Sequence, residues 1–157
     1  MTDASVQAQA EGGKHLTFAL GNEYYGIPVL TVREIIRMAE ITTVPRMPDY
    51  VRGVINLRGK IIPVMDLGLR FGLPRVEPTE RTCIIVVEVE LDSGAPTQMG
   101  LIVDAVEEVA TIATSDIEEP PDFGGLPPTR FIVGMAKVKG EVKALLDVKK
   151  IISGVEN

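Results

Sequence analysis

The chain has 157 residues, of which 45% are hydrophobic and 24% are charged. This composition is typical of a globular domain and excludes a disordered or fibrous chain. The formal net charge of −6 at pH 7 argues against general nucleic-acid binding, which needs a basic face to displace counterions.

Few residues carry reactive chemistry. One cysteine excludes an internal disulfide and a cysteine-based zinc site, and one histidine leaves little material for catalysis or metal binding. The longest aliphatic run, Cys83 to Val87, is too short to cross a bilayer, and residues 1–13 lack the features of a secretory signal. We therefore expect a cytoplasmic protein that does not insert into membranes and needs no cofactor.

The charge is unevenly distributed. Residues 1–78 carry nine Lys/Arg and eight Asp/Glu, which sum to +1, whereas residues 79–157 carry seven and fourteen, which sum to −7. Seven of the nine arginines lie between Arg33 and Arg75, and the segment from Asp104 to Asp122 has seven acids and no base. This distribution favours two partner faces of different polarity, and the alternative is two solvated faces of opposite sign.

In chain order, residues 1–14 are expected to form a flexible tail before a first hairpin. Its strands are Leu16–Leu20 and Tyr25–Val29, around the turn Gly21-Asn22-Glu23. Thr31-Val32-Arg33-Glu34 then matches a capping box, which predicts a helix with an apolar stripe at Val32, Ile35, Ile36 and Ala39.

A second hairpin is predicted from Val54–Leu57 and Ile61–Met65, joined through Arg58-Gly59-Lys60, with Gly59 supplying the positive φ of the turn. Asp66 is the expected N-cap of a short helix. Further strands are predicted at Thr82–Val89 and Met99–Val103. The loop Glu119–Pro128 precedes a last hairpin, after which a helix capped by Asp147 buries one face and ends near Gly154.

The chain contains an internal repeat. Gly53, Gly59 and Asp66 match Gly134, Gly140 and Asp147 at a constant offset of 81, and Gly26 to Val32 match Gly100 to Val106 at an offset of 74. The repeat predicts a mainly β fold of two small five-stranded barrels. Because such barrels have little core each, we expect them to share an apolar seam.

Catalytic candidates are weak. His15 is expected at the surface or at a strand edge, and Cys83 lies in a pattern typical of a buried strand. The chain has no GxGxxG, GxxxxGK[ST], HExxH or GxSxG motif. These residues predict a protein that acts through contacts and is not an enzyme.

The segment Gly53-Val54-Ile55-Asn56-Leu57-Arg58-Gly59-Lys60-Ile61-Ile62-Pro63-Val64-Met65-Asp66-Leu67 closely resembles the CheW-type chemotaxis coupling proteins. The opening Phe18 to Leu30, Val32 to Ile35, and Gly140 to Ile152 resemble the same family, so the resemblance covers residues 15–153. It implies a single domain over residues 15–157, made of two intertwined SH3-like barrels on a shared hydrophobic core.

The resemblance also implies a scaffold that links the cytoplasmic tips of chemoreceptors to the regulatory domain of the CheA histidine kinase, at membrane-associated arrays. Five residues match positions associated with receptor or kinase contact: Val32, Glu34, Gly53, Arg58 and Gly59. The receptor tips are helical hairpins in this family, so we expect a groove at the barrel seam. Its expected sides are formed by Val32, Ile35 and Ile36, and by Val103 and Val106. The chain is expected to be monomeric when alone.

Two alternatives remain at this stage. A protein of the same fold could serve a different kinase array, such as one that controls surface motility. A β-barrel that binds a small ligand is disfavoured, because aromatic residues are only 4% of the chain and tryptophan is absent.

Overall fold

The computed structural model describes residues 11–121 and 130–153. These residues form β1 (Gly13–Leu20), β2 (Glu23–Pro28), β3 (Val32–Arg37), β4 (Val51–Leu57), β5 (Lys60–Asp66), β6 (Cys83–Glu90), β7 (Pro96–Val103), β8 (Ala105–Ile112), β9 (Ile132–Val138) and β10 (Glu141–Leu146). Short α-helices at Leu67–Arg70 and Val148–Ser153 follow β5 and β10, and 3₁₀ turns lie at Val29–Thr31 and Thr114–Asp116. The prediction of a mainly β fold with a few short helices is confirmed.

The helix predicted from the capping box is wrong, because the segment forms strand β3. The hydroxyl of Thr31 donates to the carbonyl of Pro28 at 2.7 Å and closes the 3₁₀ turn, so it does not cap a helix. Ile35 and Ile36 pair with Ile85 and Ile84 of β6. Branched side chains fit a strand better than a helix, and successive residues of a strand face opposite sides.

The two halves of the chain exchange hairpins. One sheet has the order β8-β1-β2-β10-β9 and the other has the order β3-β6-β7-β5-β4. The repeat relates β1–β5 to β6–β10, and this relation converts one sheet order into the other. Each sheet therefore takes its first hairpin from one half and its remaining three strands from the other half. We call the sheet that contains β1 the first barrel and the sheet that contains β6 the second barrel.

Each barrel is closed by an equivalent backbone bridge between its edges. Thr42, which follows β3, exchanges two hydrogen bonds of 2.9 Å with Val54 of β4. Glu118, which follows β8, exchanges two hydrogen bonds of 2.8 Å with Met135 of β9. These bridges satisfy edge strands that would otherwise be exposed.

The largest hydrophobic cluster is shared by both barrels and contains Phe18 and Ile27 of the first together with Ile85 and Leu101 of the second. A smaller cluster that includes Ile55, Ile62 and Ile84 fills the second barrel. The first barrel is filled by Ala110, Ile112, Ala136 and Leu145. The expected shared core is therefore present.

Other local predictions have mixed outcomes. Asp66 and Asp147 accept hydrogen bonds of 3.1 Å from the amides of Leu69 and Lys150, so both predicted N-caps are confirmed. Strand β1 begins at Gly13, which places Gly13 and Lys14 in the sheet instead of the predicted tail. Residues 1–10 of that tail, residues 122–129 of the predicted loop, and Gly154 lie outside the described residues.

The placement of His15 at the surface is wrong, because its side chain is buried. Its Nδ1 lies 3.1 Å from the carbonyl oxygen of Gly13. The Cβ of His15 lies beside Gly26 of β2, where a Cβ atom added to the glycine would approach it to 3.7 Å. Cys83 is half-buried, and its thiol donates to the carbonyl of Arg81 at 3.2 Å.

Candidate functional site

The tip of the β4–β5 hairpin has a tightly fixed backbone. Arg58 and Gly59 form a two-residue turn with φ of 51° and 85°, the left-handed geometry that favours hairpin closure. The side-chain carbonyl of Asn56 accepts a hydrogen bond of 2.8 Å from the amide of Gly59. Because Arg58 is not glycine, its backbone conformation carries a cost that another residue type would avoid.

The side chain of Arg58 reaches across the barrel end to strand β3. Its guanidinium forms a bidentate ion pair with Glu34, in which Nη2 contacts Oε1 and Nη1 donates a hydrogen bond to Oε2 at 3.3 Å. This hydrogen bonding raises the pKa of Arg58. Since the arginine is exposed, the pair contributes little to folding, and both groups remain accessible to a partner.

The first barrel repeats this arrangement. Lys139 and Gly140 form the matching turn, with φ of 53° and 85°. The ammonium of Lys139 lies 2.8 Å from Oε1 of Glu108, and this hydrogen bond lowers the pKa of Glu108. The offsets of the repeat relate Arg58 to Lys139 and Glu34 to Glu108, so the chain builds the same ion pair twice.

Exposed aliphatic side chains accompany both ion pairs. In the second barrel Ile35 is 43% exposed and Ile61 is 68% exposed. The repeat relates them to Val109 and Val142 of the first barrel, which are 54% and 55% exposed. We call Glu34, Ile35, Arg58 and Ile61 the second end patch, and Val109, Glu108, Lys139 and Val142 the first end patch. Aliphatic groups beside charged groups are the composition expected of a protein-binding surface.

The surroundings of the second end patch are basic. Arg33 forms an ion pair of 2.9 Å with Glu88. Hydrogen bonds, first from Gln98 and then from Arg33, lower the pKa of Glu88. The carboxylate of Glu88 is therefore occupied by Arg33 and Gln98, and Arg58 and Lys60 add positive charge nearby.

The surroundings of the first end patch are more acidic. Glu107 stands at the position that the repeat relates to Arg33. It accepts a hydrogen bond of 2.9 Å from the ammonium of Lys143. Glu141 accepts a second hydrogen bond from the same ammonium, at 3.1 Å. Burial lowers the pKa of Lys143, but the two carboxylates outweigh burial and raise the pKa above its ordinary value. The two barrel ends therefore have related shapes and different charge.

The nine residues predicted to bind partners do not form one surface. Glu34 and Arg58 meet in the ion pair at the end of the second barrel, with Gly59 in the same turn and Ile35 exposed next to Glu34 in the chain. Val32 and Val106 are half-buried and pack against the shared core. Ile36 is half-buried against the filling of the second barrel, on the opposite face of β3 from Ile35.

Two of the predicted binding residues are buried and cannot contribute side chains to a groove. Val103 is 1% exposed and belongs to the shared core. Gly53 has a φ of 142°, and a Cβ atom placed on it would lie 2.0 Å from the carbonyl oxygen of Thr42. The absence of a side chain at Gly53 therefore lets the closing bridge of the second barrel form. The predicted groove is corrected to its half-buried members, Val32 and Val106.

The sequence reasoning missed three of the exposed aliphatic residues, Ile61, Val109 and Val142. Ile61 and Val142 occupy the same place in the two halves, directly after the hairpin turns. Both lie within the internal repeat, in segments that the sequence predicts as strands. An aliphatic residue repeated beside a charged turn is the signal that identifies them.

In residues 11–121 and 130–153, no group of three or more His, Cys, Asp or Glu side chains is arranged to hold a metal ion. No helix of this part of the chain has the length and apolar character needed to span a membrane. The twin barrels and their two end patches define a protein-binding module of the adaptor type.

Comparison with known proteins identifies the family. Residues 14–156 match the model of the CheW-like domain, and the chain belongs to this family. It is 33% identical to the chemotaxis protein CheW of Klebsiella aerogenes over 99% of this chain and 90% of that protein. It is 32% identical to the CheW of Rhizobium meliloti over 99% of this chain and 97% of that protein.

A solved structure has the same fold. The crystal structure of the scaffolding protein TtCheW from Thermoanaerobacter tengcongensis matches with a TM-score of 0.79 and 36% identity, over 89% of this chain and 92% of that one. The chain is also 30% identical to the protein FrzA of Myxococcus xanthus, over 96% of this chain and 92% of that protein.

Proposed function

We propose that this chain is a non-catalytic cytoplasmic coupling protein that links chemoreceptors to a CheA-type histidine kinase at membrane-associated receptor arrays. One observation carries the proposal: the chain builds two related end patches on two related barrels, and neither patch is needed to fill a core. A molecule that joins two partners requires exposed surfaces that the fold itself does not use. The different charge around the two patches makes them unequal, so a partner of the second patch is not expected to bind the first.

The second end patch is the proposed contact for the regulatory domain of the kinase. It contains the exposed side chains of Ile35 and Ile61 and the guanidinium of Arg58, which is paired with Glu34. Arginine and aliphatic groups on a rigid turn provide an anchor at low entropic cost. A kinase domain of similar barrel fold could dock its own barrel end against this surface.

The seam between the barrels is the proposed contact for receptor tips. Val32 and Val106 are related by the repeat and both pack on the shared core while remaining partly exposed. A helical hairpin that places an apolar stripe along the seam would contact both valines. Neither valine belongs to the second end patch, and simultaneous binding of receptor and kinase is part of the proposal.

The first test is a pull-down of the tagged chain from an extract of the organism that makes it, with mass spectrometry of the recovered proteins. We expect a histidine kinase and chemoreceptors in the wild-type sample. The Arg58→Glu variant should recover receptors and lose most of the kinase. A wild-type sample without either partner would refute the proposal.

The same experiment distinguishes the two kinds of array. Recovery of a kinase and receptors that control swimming supports the leading proposal, and recovery of a surface-motility system supports the alternative. The similarity to FrzA shows that the family includes proteins that carry other names.

The proposed oligomeric state is a monomer that forms a complex with the regulatory domain. Sedimentation velocity at tens of micromolar should show one species near 17 kDa for the chain alone. A heavier species should appear when the regulatory domain is added. An interface of ordinary size would bury about 1,200–2,000 Å² in total. Two independently sedimenting species in the mixture would contradict this proposal.

A further inference from the structure

A cationic depression lies where the two repeat-related helices approach each other. It has a volume of about 580 Å³ and is lined by Tyr50, Arg70, Arg130, Phe131 and Lys150. Arg130 and Lys150 are exposed, Arg70 and Tyr50 are half-buried, and Phe131 is buried. None of these five residues belongs to either end patch or to the valines of the seam.

The guanidinium of Arg70 is fixed between two aromatic rings. Its Cζ atom lies 4.6 Å from the centroid of Tyr50 and 4.8 Å from that of Phe131. The backbone that carries each ring is anchored, since the backbone carbonyls of Tyr50 and Phe131 accept hydrogen bonds of 2.7 and 2.9 Å from the backbone amides of Asp66 and Asp147. The repeat relates Tyr50 to Phe131, so the arginine is held by an equivalent ring from each half of the chain.

This guanidinium is left with unused hydrogen-bonding capacity. Its only hydrogen bond among the described residues is from Nη2 to the carbonyl of Ile151, at the long distance of 3.5 Å. Its Nε is buried and has no hydrogen-bond partner within residues 11–121 and 130–153. The Cζ of Arg130 lies 4.9 Å from the ring of Phe131, which brings a second guanidinium to the same place.

No ion pair within the described residues neutralises the positive charge of the depression. Each of the seven ion pairs found in residues 11–121 and 130–153 involves other residues. Within the described part of the chain, Arg70, Arg130 and Lys150 therefore form a cluster that has no ion pair, in a chain whose net charge is −6. Burial lowers the pKa of Arg70, and the nearby Arg130 lowers it further, which is the expected effect of an unneutralised cluster.

The fold does not require these cations. The repeat places Asp49 where Arg130 stands, Ile151 where Arg70 stands, and Leu69 where Lys150 stands. The same backbone is thus built with acidic or aliphatic residues on the other side of the pseudo-twofold axis. Three cations that the repeat does not preserve are explained better by a function at this place than by packing.

We propose that the depression formed by Arg70, Arg130 and Lys150 is a docking surface for an acidic protein segment that presents at least two carboxylates. A guanidinium with a free edge binds a carboxylate through two parallel hydrogen bonds, and a ring sandwich fixes its orientation beforehand. The ring of Phe131 is already covered by Arg70, Arg130 and Phe71, so a nucleobase has no face on which to stack.

The size and setting of the depression favour a peptide over a small anion. A volume of about 580 Å³ and three separate cations fit several side chains better than a single phosphate group. The rest of the surface is net acidic and repels an acidic segment, so approach is directed to this place.

The test uses a capped hexaglutamate peptide as the probe and measures its binding to the ¹⁵N-labelled full chain by NMR titration at low salt. The largest amide shifts are expected at residues 69–71, 130–132 and 149–151. Hexaglutamine should not bind. The Arg130→Gln/Lys150→Gln double variant changes only exposed side chains and should weaken hexaglutamate binding at least fivefold.

The matched control is the Arg75→Gln/Arg81→Gln variant, which removes two exposed arginines elsewhere and should change the affinity less than twofold. Equal weakening by both double variants would show a general charge effect and overturn the proposal. Binding of inorganic phosphate as tightly as hexaglutamate, with the same shifts, would also overturn it, as would no binding of hexaglutamate. The kinase and receptor assays are separate, so failure here is distinguishable from failure of the proposed function.

Discussion

Replacement of Gly53 by alanine tests the claim that this glycine serves the closure of the second barrel. The new Cβ would lie 2.0 Å from the carbonyl oxygen of Thr42 and 2.8 Å from its carbonyl carbon. Relief of this overlap requires a shift of more than about 1 Å, since comfortable contacts begin near 3.5 Å. Such a shift breaks both hydrogen bonds of 2.9 Å between Thr42 and Val54.

The expected loss has two parts. Two broken backbone hydrogen bonds cost about 2 kcal/mol together. An alanine at a φ of 142° adds strain of about 1–3 kcal/mol. We therefore expect Gly53→Ala to reduce the free energy of unfolding by about 3–5 kcal/mol, as measured by urea denaturation.

Gly13 provides the matched control. Its φ of 133° is close to that of Gly53, but a Cβ atom there would meet nothing within 4 Å. Gly13→Ala should therefore show the strain alone, about 1–3 kcal/mol. If the two variants unfold at the same urea concentration, the clash with Thr42 has no energetic weight and the explanation of Gly53 is wrong. If they differ as expected, reduced partner binding by a Gly53 variant reflects loss of barrel closure.

Three further predictions concern single side chains. Arg58→Glu should change the stability little because its ion pair is exposed, yet it should weaken kinase binding by about 30-fold or more. In calorimetry the matched Lys139→Glu variant should retain most of the affinity for the kinase, and equal losses would contradict the assignment of the kinase to the second end patch. Val32→Met should weaken receptor binding with little change in melting temperature, and a lowered melting temperature with unchanged affinity would remove Val32 from the site. The pKa of Lys143 is raised in the folded state, so its ion pairs stabilise the fold fully below its ordinary pKa of 10.5. This stabilisation is lost as the pH rises through the pKa that Lys143 has in the folded protein. The wild type should thus lose more stability above pH 10.5 than a Lys143→Ile variant, which copies Ile62, and parallel losses in urea denaturation would contradict this role.

The sequence predicted the turns and caps because their signals are local. Gly59 and Gly140 supply positive φ values in hairpin turns, and Asp66 and Asp147 accept hydrogen bonds from amides three residues ahead. Because these residues recur at a constant offset, they align the two halves of the chain. The capping box at Thr31 is also a local signal. It failed because β3 gains its backbone hydrogen bonds from β6, about 50 residues away along the chain.

The exchange of hairpins between the barrels has no local signal. It depends on the parallel pairs β2–β10 and β5–β7, each of which is made by three residue pairs far apart in the chain. The burial of Lys143 also has no local signal in the sequence. The repeat places Ile62 at the same position of the other barrel, and the buried ammonium is stabilised by its ion pairs with Glu107 and Glu141. The end patches required both kinds of information, since Glu34 and Arg58 are brought together by the closure of the barrel.

Coupling itself is tested most directly by a three-component co-sedimentation. Receptors in membrane vesicles are mixed with the histidine kinase recovered by the pull-down, with and without this chain, and the kinase in the vesicle pellet is measured. The account predicts that kinase sediments with the vesicles when the wild-type chain is present, and that the Arg58→Glu chain sediments but leaves most of the kinase in solution. An equal amount of kinase in the pellet with and without the chain would contradict the proposed role.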